Sequence, residues 1–121
     1  MKPLSLTLRR NTFGRIDMSP LTPDRLDGLD KHALAKIPLQ CGRQRVSVGD
    51  LFDIAGRDAS LLQIRRSTAQ LFRIGFQMRS GTIEIGGNAG DNLGERMHGG
   101  EIRVRGDAGE WVGASMLRGQ I

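Results

Sequence analysis

Apolar positions recur at a fixed interval in the second half of the chain. Met78-Arg79-Ser80-Gly81-Thr82-Ile83-Glu84-Ile85-Gly86-Gly87-Asn88-Ala89-Gly90 aligns without a gap on Met97-His98-Gly99-Gly100-Glu101-Ile102-Arg103-Val104-Arg105-Gly106-Asp107-Ala108-Gly109, a period of nineteen. A third copy starts at Met116 and reaches Ile121. Shifted back by one period, a worn copy sets Ile64 under Ile83, Ile74 under Leu93 and Gly75 under Gly94. Ile64, Ile83, Ile102 and Ile121 form one column, and Ile85 with Val104 a second, two positions on. Apolar residues at i and i+2 predict a short strand with one face inward. The columns between them are polar and face out. In-register stacking would set Arg65, Glu84 and Arg103 in a ladder of alternating charge. Such a ladder selects register rather than holding the fold, because exposed pairs contribute only about 0–1 kcal/mol each. Arg66 interrupts the second apolar column and is assigned to capping the open end of the stack.

The glycines punctuate the same repeat. Of 17 in the chain, 12 lie between Gly75 and Gly119, so the second half is built differently from the first. Gly87-Asn88-Ala89-Gly90 and Gly106-Asp107-Ala108-Gly109 read as corners, where glycine supplies positive φ and Asn or Asp bonds the backbone. Met78, Met97 and Met116 read as core filler. Two strands and two or three corners within one period predict one coil of a mainly β fold. That fold is a parallel β-solenoid with 19-residue coils over residues 61–121.

Residues 1–60 predict a small α+β N-terminal cap over one end of that stack. Leu4, Leu6 and Leu8 alternate as a strand, with Arg15-Ile16-Asp17-Met18 as its expected hairpin partner. Thr22-Pro23 is a helix start, with a short helix through Leu29 and a second over Asp30 to Ile37, ended by Pro38. Val46, Val48, Leu51 and Phe52 lead into the repeat. At the other end, Ile121 stops in mid-strand, which predicts that the 121 residues are the N-terminal part of a longer chain.

Composition narrows the function classes. Aromatics are 4%, with no tyrosine, which excludes an aromatic-packed core. No apolar run approaches the roughly 18–20 residues of a membrane span, and no apolar signal core follows Met1, so the expectation is a cytoplasmic protein without a membrane partner. Cys41 alone makes neither a disulfide nor an all-cysteine metal site. The net charge is +5, and all but Lys2, Lys31 and Lys36 of the 18 bases are arginine. Arginine suits carboxylate and phosphate pairing. Acids interleave with the bases, so a nucleic-acid stripe is not supported.

Chemistry-bearing residues are sparse. Asp24, Asp27 and Asp30 read as complementing helix starts, and His32 as an exposed helix residue. His98 stands at a corner where other copies carry Arg79 and Leu117. No HExxH, CxxC, GxSxG or P-loop occurs, so no catalytic, cofactor or metal residue is assigned. Gly86 to Leu93 partly matches the calcium nonapeptide repeat, but Ala89 stands at a glycine position and the period is neither nine nor 18. The hexapeptide helix of acyltransferases is a poorer match, because nineteen is not a multiple of six and the glycines are too many.

The block M-x-x-G-x-I-x-[IV]-x-G-[ND]-A-G-x-x-[LV]-G resembles the GXGXG domain, a right-handed β-solenoid. Leu4-Ser5-Leu6-Thr7-Leu8-Arg9, then Asp17-Met18-Ser19-Pro20-Leu21-Thr22-Pro23-Asp24-Arg25-Leu26, then Val48-Gly49-Asp50-Leu51-Phe52, resemble the start of the C subunit of formylmethanofuran dehydrogenase and of the related bacterial formyltransferase/hydrolase complex. The resemblance implies a non-catalytic scaffold with no cofactor of its own. Its complex would act on the formyl group of a methanofuran-type carrier, with amidohydrolase-like and formyltransferase subunits as partners. A molybdenum or tungsten pterin would enter only through a partner subunit of the dehydrogenase form. Because the carrier's glutamate tail is polyanionic, Arg79, Arg96, Arg103 and Arg105 become candidate contacts for it or for acidic partner surfaces. The alternatives are a GXGXG segment of a glutamate synthase-like enzyme and a free-standing solenoid binding module.

Overall fold

The computed structural model describes residues 2–9 and 14–121. Strand β1 (Pro3–Leu8) buries Leu4, Leu6 and Leu8, as their alternation predicts. Its neighbours are not the expected ones. It runs antiparallel to β5 (Phe52–Ala55) and parallel to β6 (Asp58–Ser67), which occupy both of its edges. The expected hairpin partner, β2 (Ile16–Asp17), lies in the other sheet, antiparallel to β3 (Pro38–Cys41) and parallel to β7 (Leu71–Phe72). So short a strand as β2 offers fewer ladder bonds than either neighbour β1 takes.

The expectation of a right-handed parallel β-solenoid behind an α+β cap is overturned. The described residues form a small mixed α/β domain on two mixed sheets. The first has the order β5-β1-β6-β8-β9, with β8 (Thr82–Gly87) and β9 (Glu101–Val104). The second has the order β4-β3-β2-β7, with β4 (Gln44–Ser47) antiparallel to β3. The repeat supplies parallel strands to the first sheet, but β1 to β5, all from the first half of the chain, enter both sheets. They add antiparallel pairs that a repeat period cannot encode.

Within this domain the repeat spacing sets one register and misses another. Strands β8 and β9 pair Ile83 with Ile102 and Ile85 with Val104, one full period apart. Strands β6 and β8 pair Leu62 with Ile83 and Ile64 with Ile85, two positions away from the expected alignment. A slip of two keeps the same face inward, so Leu62 and Ile64 are both fully buried. It also removes Arg66 from the apolar column. Arg66 is not a cap over the stack; it is an exposed residue at φ 59°, where the β6–β8 register shifts between Arg65 and Ser67. By Gly90, whose N–H donates to the Leu71 carbonyl at 2.8 Å, the spacing has returned to one full period.

The corners repeat in backbone conformation more faithfully than in residue type. Arg73, Asn92 and Trp111 have φ of 57°, 61° and 63°, and Gln77, Arg96 and Ser115 have 56°, 54° and 55°. Members of each set are one period apart. Stacked main-chain bonds, such as Arg73 N–H to Asp91 O and Asn92 N–H to Glu110 O, hold these side-chain-bearing residues in a region they rarely adopt.

Among the described residues three short helices pack around the sheets: α1 (Pro23–Leu26), α2 (Lys31–Ala35) and α3 (Val48–Leu51). Thr22 is the N-cap of α1, although its hydroxyl is buried without a hydrogen-bond partner among the described residues. The helix ends at Leu26, short of the expected Leu29, and Gly28 follows at φ 81°. Asp30 caps α2 by accepting the Ala33 N–H at 2.7 Å. One apolar core of Leu, Ile and Met, with Phe52, joins both halves of the chain.

Candidate functional site

The polar column expected to read Arg65–Glu84–Arg103 reads Gln63–Glu84–Arg103 instead. Gln63 Nε2 donates to Glu84 Oε1 at 3.1 Å, and Arg65 Nη2 donates to Gln63 Oε1 at 3.3 Å. Arg103 Nη1 lies 3.7 Å from Glu84 Oε2, and its Nε donates to Glu101 Oε1 at 2.9 Å. The Glu101 carboxylate, bonded to and beside the guanidinium, raises the Arg103 pKa above its ordinary value. Gln63, Arg65, Glu84 and Arg103 surround a cleft of about 470 Å³ on the outer face of the first sheet, and Arg105 completes its rim. Gly86 projects nothing into it. Such a cleft offers guanidinium donors to a carboxylate or phosphate.

Of the four candidate arginines, the structure brings two together. Arg103 and Arg105 share the cleft with Arg65, which the expected register had placed opposite Glu84. Leu62, two positions before Ile64, is the sequence signal for the alternative register. Arg79 and Arg96 are exposed elsewhere. The Arg79 N–H donates to Asp24 Oδ1 at 3.1 Å, tying a repeat corner to α1, and the Arg96 N–H donates to Ala114 O at 2.8 Å.

The other candidates disperse. Cys41 is partly buried on β3 and forms no disulfide. His98 is exposed, with its N–H on Met78 O, and His32 is exposed on α2. Among the described residues, no group of three or more His, Cys, Asp or Glu side chains converges to hold a metal ion. None of the helices among them is long and apolar enough to cross a membrane. A larger hollow between the α1–α2 segment and β5 had no signature in the sequence pattern.

The chain is similar to known proteins in both sequence and structure. It is 32% identical over 89 residues to the C subunit of the formyltransferase/hydrolase complex Fhc of Methylorubrum extorquens, covering 74% of this chain and 34% of that protein. It is 31% identical over 96 residues to the C subunit of the tungsten-containing formylmethanofuran dehydrogenase 2 of Methanococcus maripaludis, covering 78% of this chain and 35% of that protein. The chain is a homologue of these C subunits. It spans about a third of the length of these curated relatives. A chain in the crystal structure of the Methylorubrum extorquens formyltransferase/hydrolase complex FhcABCD with methylofuran superposes with a TM-score of 0.89. That match has 32% identity and covers 95% of this chain and 43% of the other. No protein-family model matches this C-subunit homologue.

Proposed function

We propose that this chain is a non-catalytic scaffold segment of a C subunit, in a cytoplasmic complex that transfers, hydrolyses or forms the formyl group of a methanofuran-type carrier. The observation that carries the reading is the structural match at 32% identity over 95% of this chain, to a chain from a multi-subunit formyltransferase/hydrolase complex. The dispersal of the candidate side chains over the surface supports a structural role. In this reading the chain holds no cofactor, and amidohydrolase-like and formyltransferase subunits are its partners. Exposed arginines, with Arg103 and Arg105 foremost, meet carboxylates of a partner subunit or of the carrier's glutamate tail.

The test is affinity purification of the tagged natural chain from its own cells, with mass spectrometry of what accompanies it. Co-purifying amidohydrolase-like and formyltransferase subunits are the expected result. A folded chain that elutes alone, as judged by circular dichroism and sedimentation, overturns the reading. Charge reversal at Arg103 and Arg105 is expected to weaken assembly or carrier affinity; an unchanged complex with unchanged affinity removes the arginine assignment.

A further inference from the structure

A groove of about 1000 Å³ opens between the α1–α2 segment and the end of the first sheet. Its lining is apolar where it is deep: Leu4, Leu26, Leu34, Ile54 and Ala59 are buried there. Leu29 stands at its lip, 41% exposed, although it lies between helices that otherwise bury their leucines. One wall is β5, the last strand of the sheet. Its inner edge bonds β1, and its outer edge has no partner strand among the described residues. An edge strand beside an apolar groove presents unpaired main-chain donors and acceptors together with room for side chains.

Charge selects among possible occupants. Lys2, Lys31 and Arg57 line the rim, and none has an ion-pair partner among the described residues. His32 lies beside them in the lining. The opposing acids are Asp27 and Asp30, the latter accepting the Ala33 N–H as the cap of α2, so three cations face two carboxylates. The rim is therefore net positive.

We infer that this groove docks an extended segment of another protein, which adds to the outer edge of β5 with alternate apolar side chains in the groove and carboxylates on the Lys2, Lys31 and Arg57 rim. The strand geometry supports the alternation. Ile54 faces the core, and its neighbours Asp53 and Ala55 are exposed on the opposite face. An added strand pleated in register with β5 would place every second side chain over Leu29 and Leu34. The β5 edge spans only Phe52–Ala55, so main-chain bonds fix orientation while the groove and rim discriminate sequence.

The test needs no other subunit, so its outcome is separate from that of the assembly proposed above. The isotope-labelled full chain is titrated with a short peptide of alternating leucine and glutamate, and in parallel with its leucine–lysine and serine–glutamate counterparts. The expected result is that the leucine–glutamate peptide shifts the amide signals of Leu29, Ile54 and Ala55 and slows exchange along β5. The other two peptides should bind roughly tenfold more weakly or not at all. Lys31→Glu combined with Arg57→Glu, both at exposed positions, should weaken the first peptide about tenfold and bring the leucine–lysine peptide in. Leu29→Asp should abolish binding, with circular dichroism checking the fold. The inference is overturned if the peptide does not bind, if its shifts fall away from β5, or if the charge reversals leave its affinity unchanged. Concentration-dependent protection of β5 without peptide, with dimers in sedimentation, would assign the edge to a second copy and overturn the partner assignment.

Discussion

Gly86 and Gly90 lie close together in the same repeat, yet alanine at each should shift stability in opposite directions. Neither has a positive φ, so the comparison isolates space. A Cβ on Gly90 would sit 2.5 Å from Ala69 O and 2.7 Å from Leu71 O. Both are backbone oxygens, and Leu71 O also accepts the Gly90 N–H at 2.8 Å. Relieving the clash moves the Gly90 corner off β7 and stretches that bond. Overpacking of this kind costs about 1–3 kcal/mol, and a weakened hydrogen bond about 1 kcal/mol more. Gly90→Ala should therefore lose roughly 2–4 kcal/mol. A Cβ on Gly86 meets Ile64 O at 3.6 Å and Arg65 Cα at 3.9 Å, ordinary contacts. Glycine inside a strand costs about 0.5–1 kcal/mol relative to alanine, so Gly86→Ala should gain about that much. The next repeat agrees: one period on, Gly86 is replaced by Arg105, whereas Gly90 is matched by Gly109. Urea unfolding followed by circular dichroism measures both variants. A Gly90→Ala chain as stable as the parent, or a Gly86→Ala chain clearly weaker than it, refutes the reasoning.

Three further outcomes follow from the same geometry. Ile83→Ala removes a fully buried side chain between Leu62 and Ile102, and should cost about 2–5 kcal/mol in the same unfolding assay. Arg103→Glu sets three carboxylates side by side with Glu84 and Glu101. It should destabilise the chain slightly at low salt, with the loss shrinking as salt is added. The Ser60 hydroxyl and N–H, both bonded to Asp58 Oδ1, hold the Asp58 carboxyl below its ordinary pKa. A depressed folded-state value means that this contribution is present above the unfolded-state pKa and is lost as pH falls through the folded one. Ser60→Ala should raise the Asp58 titration midpoint by NMR; an unmoved midpoint contradicts the assignment.

Arg65 and Arg66 show why the repeat was legible and its register was not. A fixed period establishes which residues are equivalent between two good copies, and β8 and β9 pair accordingly. In the worn copy, Leu62 and Ile64 satisfy the inward columns as well as Ile64 and a displaced arginine would, and they do so without burying charge. Hydrophobic burial with a period of two cannot distinguish shifts of two except by such exclusions. The candidate cleft inherited the error, because Arg65 reaches it through Gln63 rather than by pairing with Glu84.

Local chemistry by itself determined the strand alternation of β1, the helix start at Thr22-Pro23, the glycine-marked corners and the in-register stacking of the two clear repeats. Each depends on near neighbours in the chain or on one repeat length. Tertiary structure alone decided that β1 lies between β5 and β6, that β2 joins a second sheet, and that the domain is mixed rather than a uniform stack. Those choices are settled by competition for strand edges between segments far apart in sequence. The number of ladder bonds and the apolar area each pairing buries decide the winner. The groove beside β5 arises the same way, where the last strand in that competition is left with an open edge.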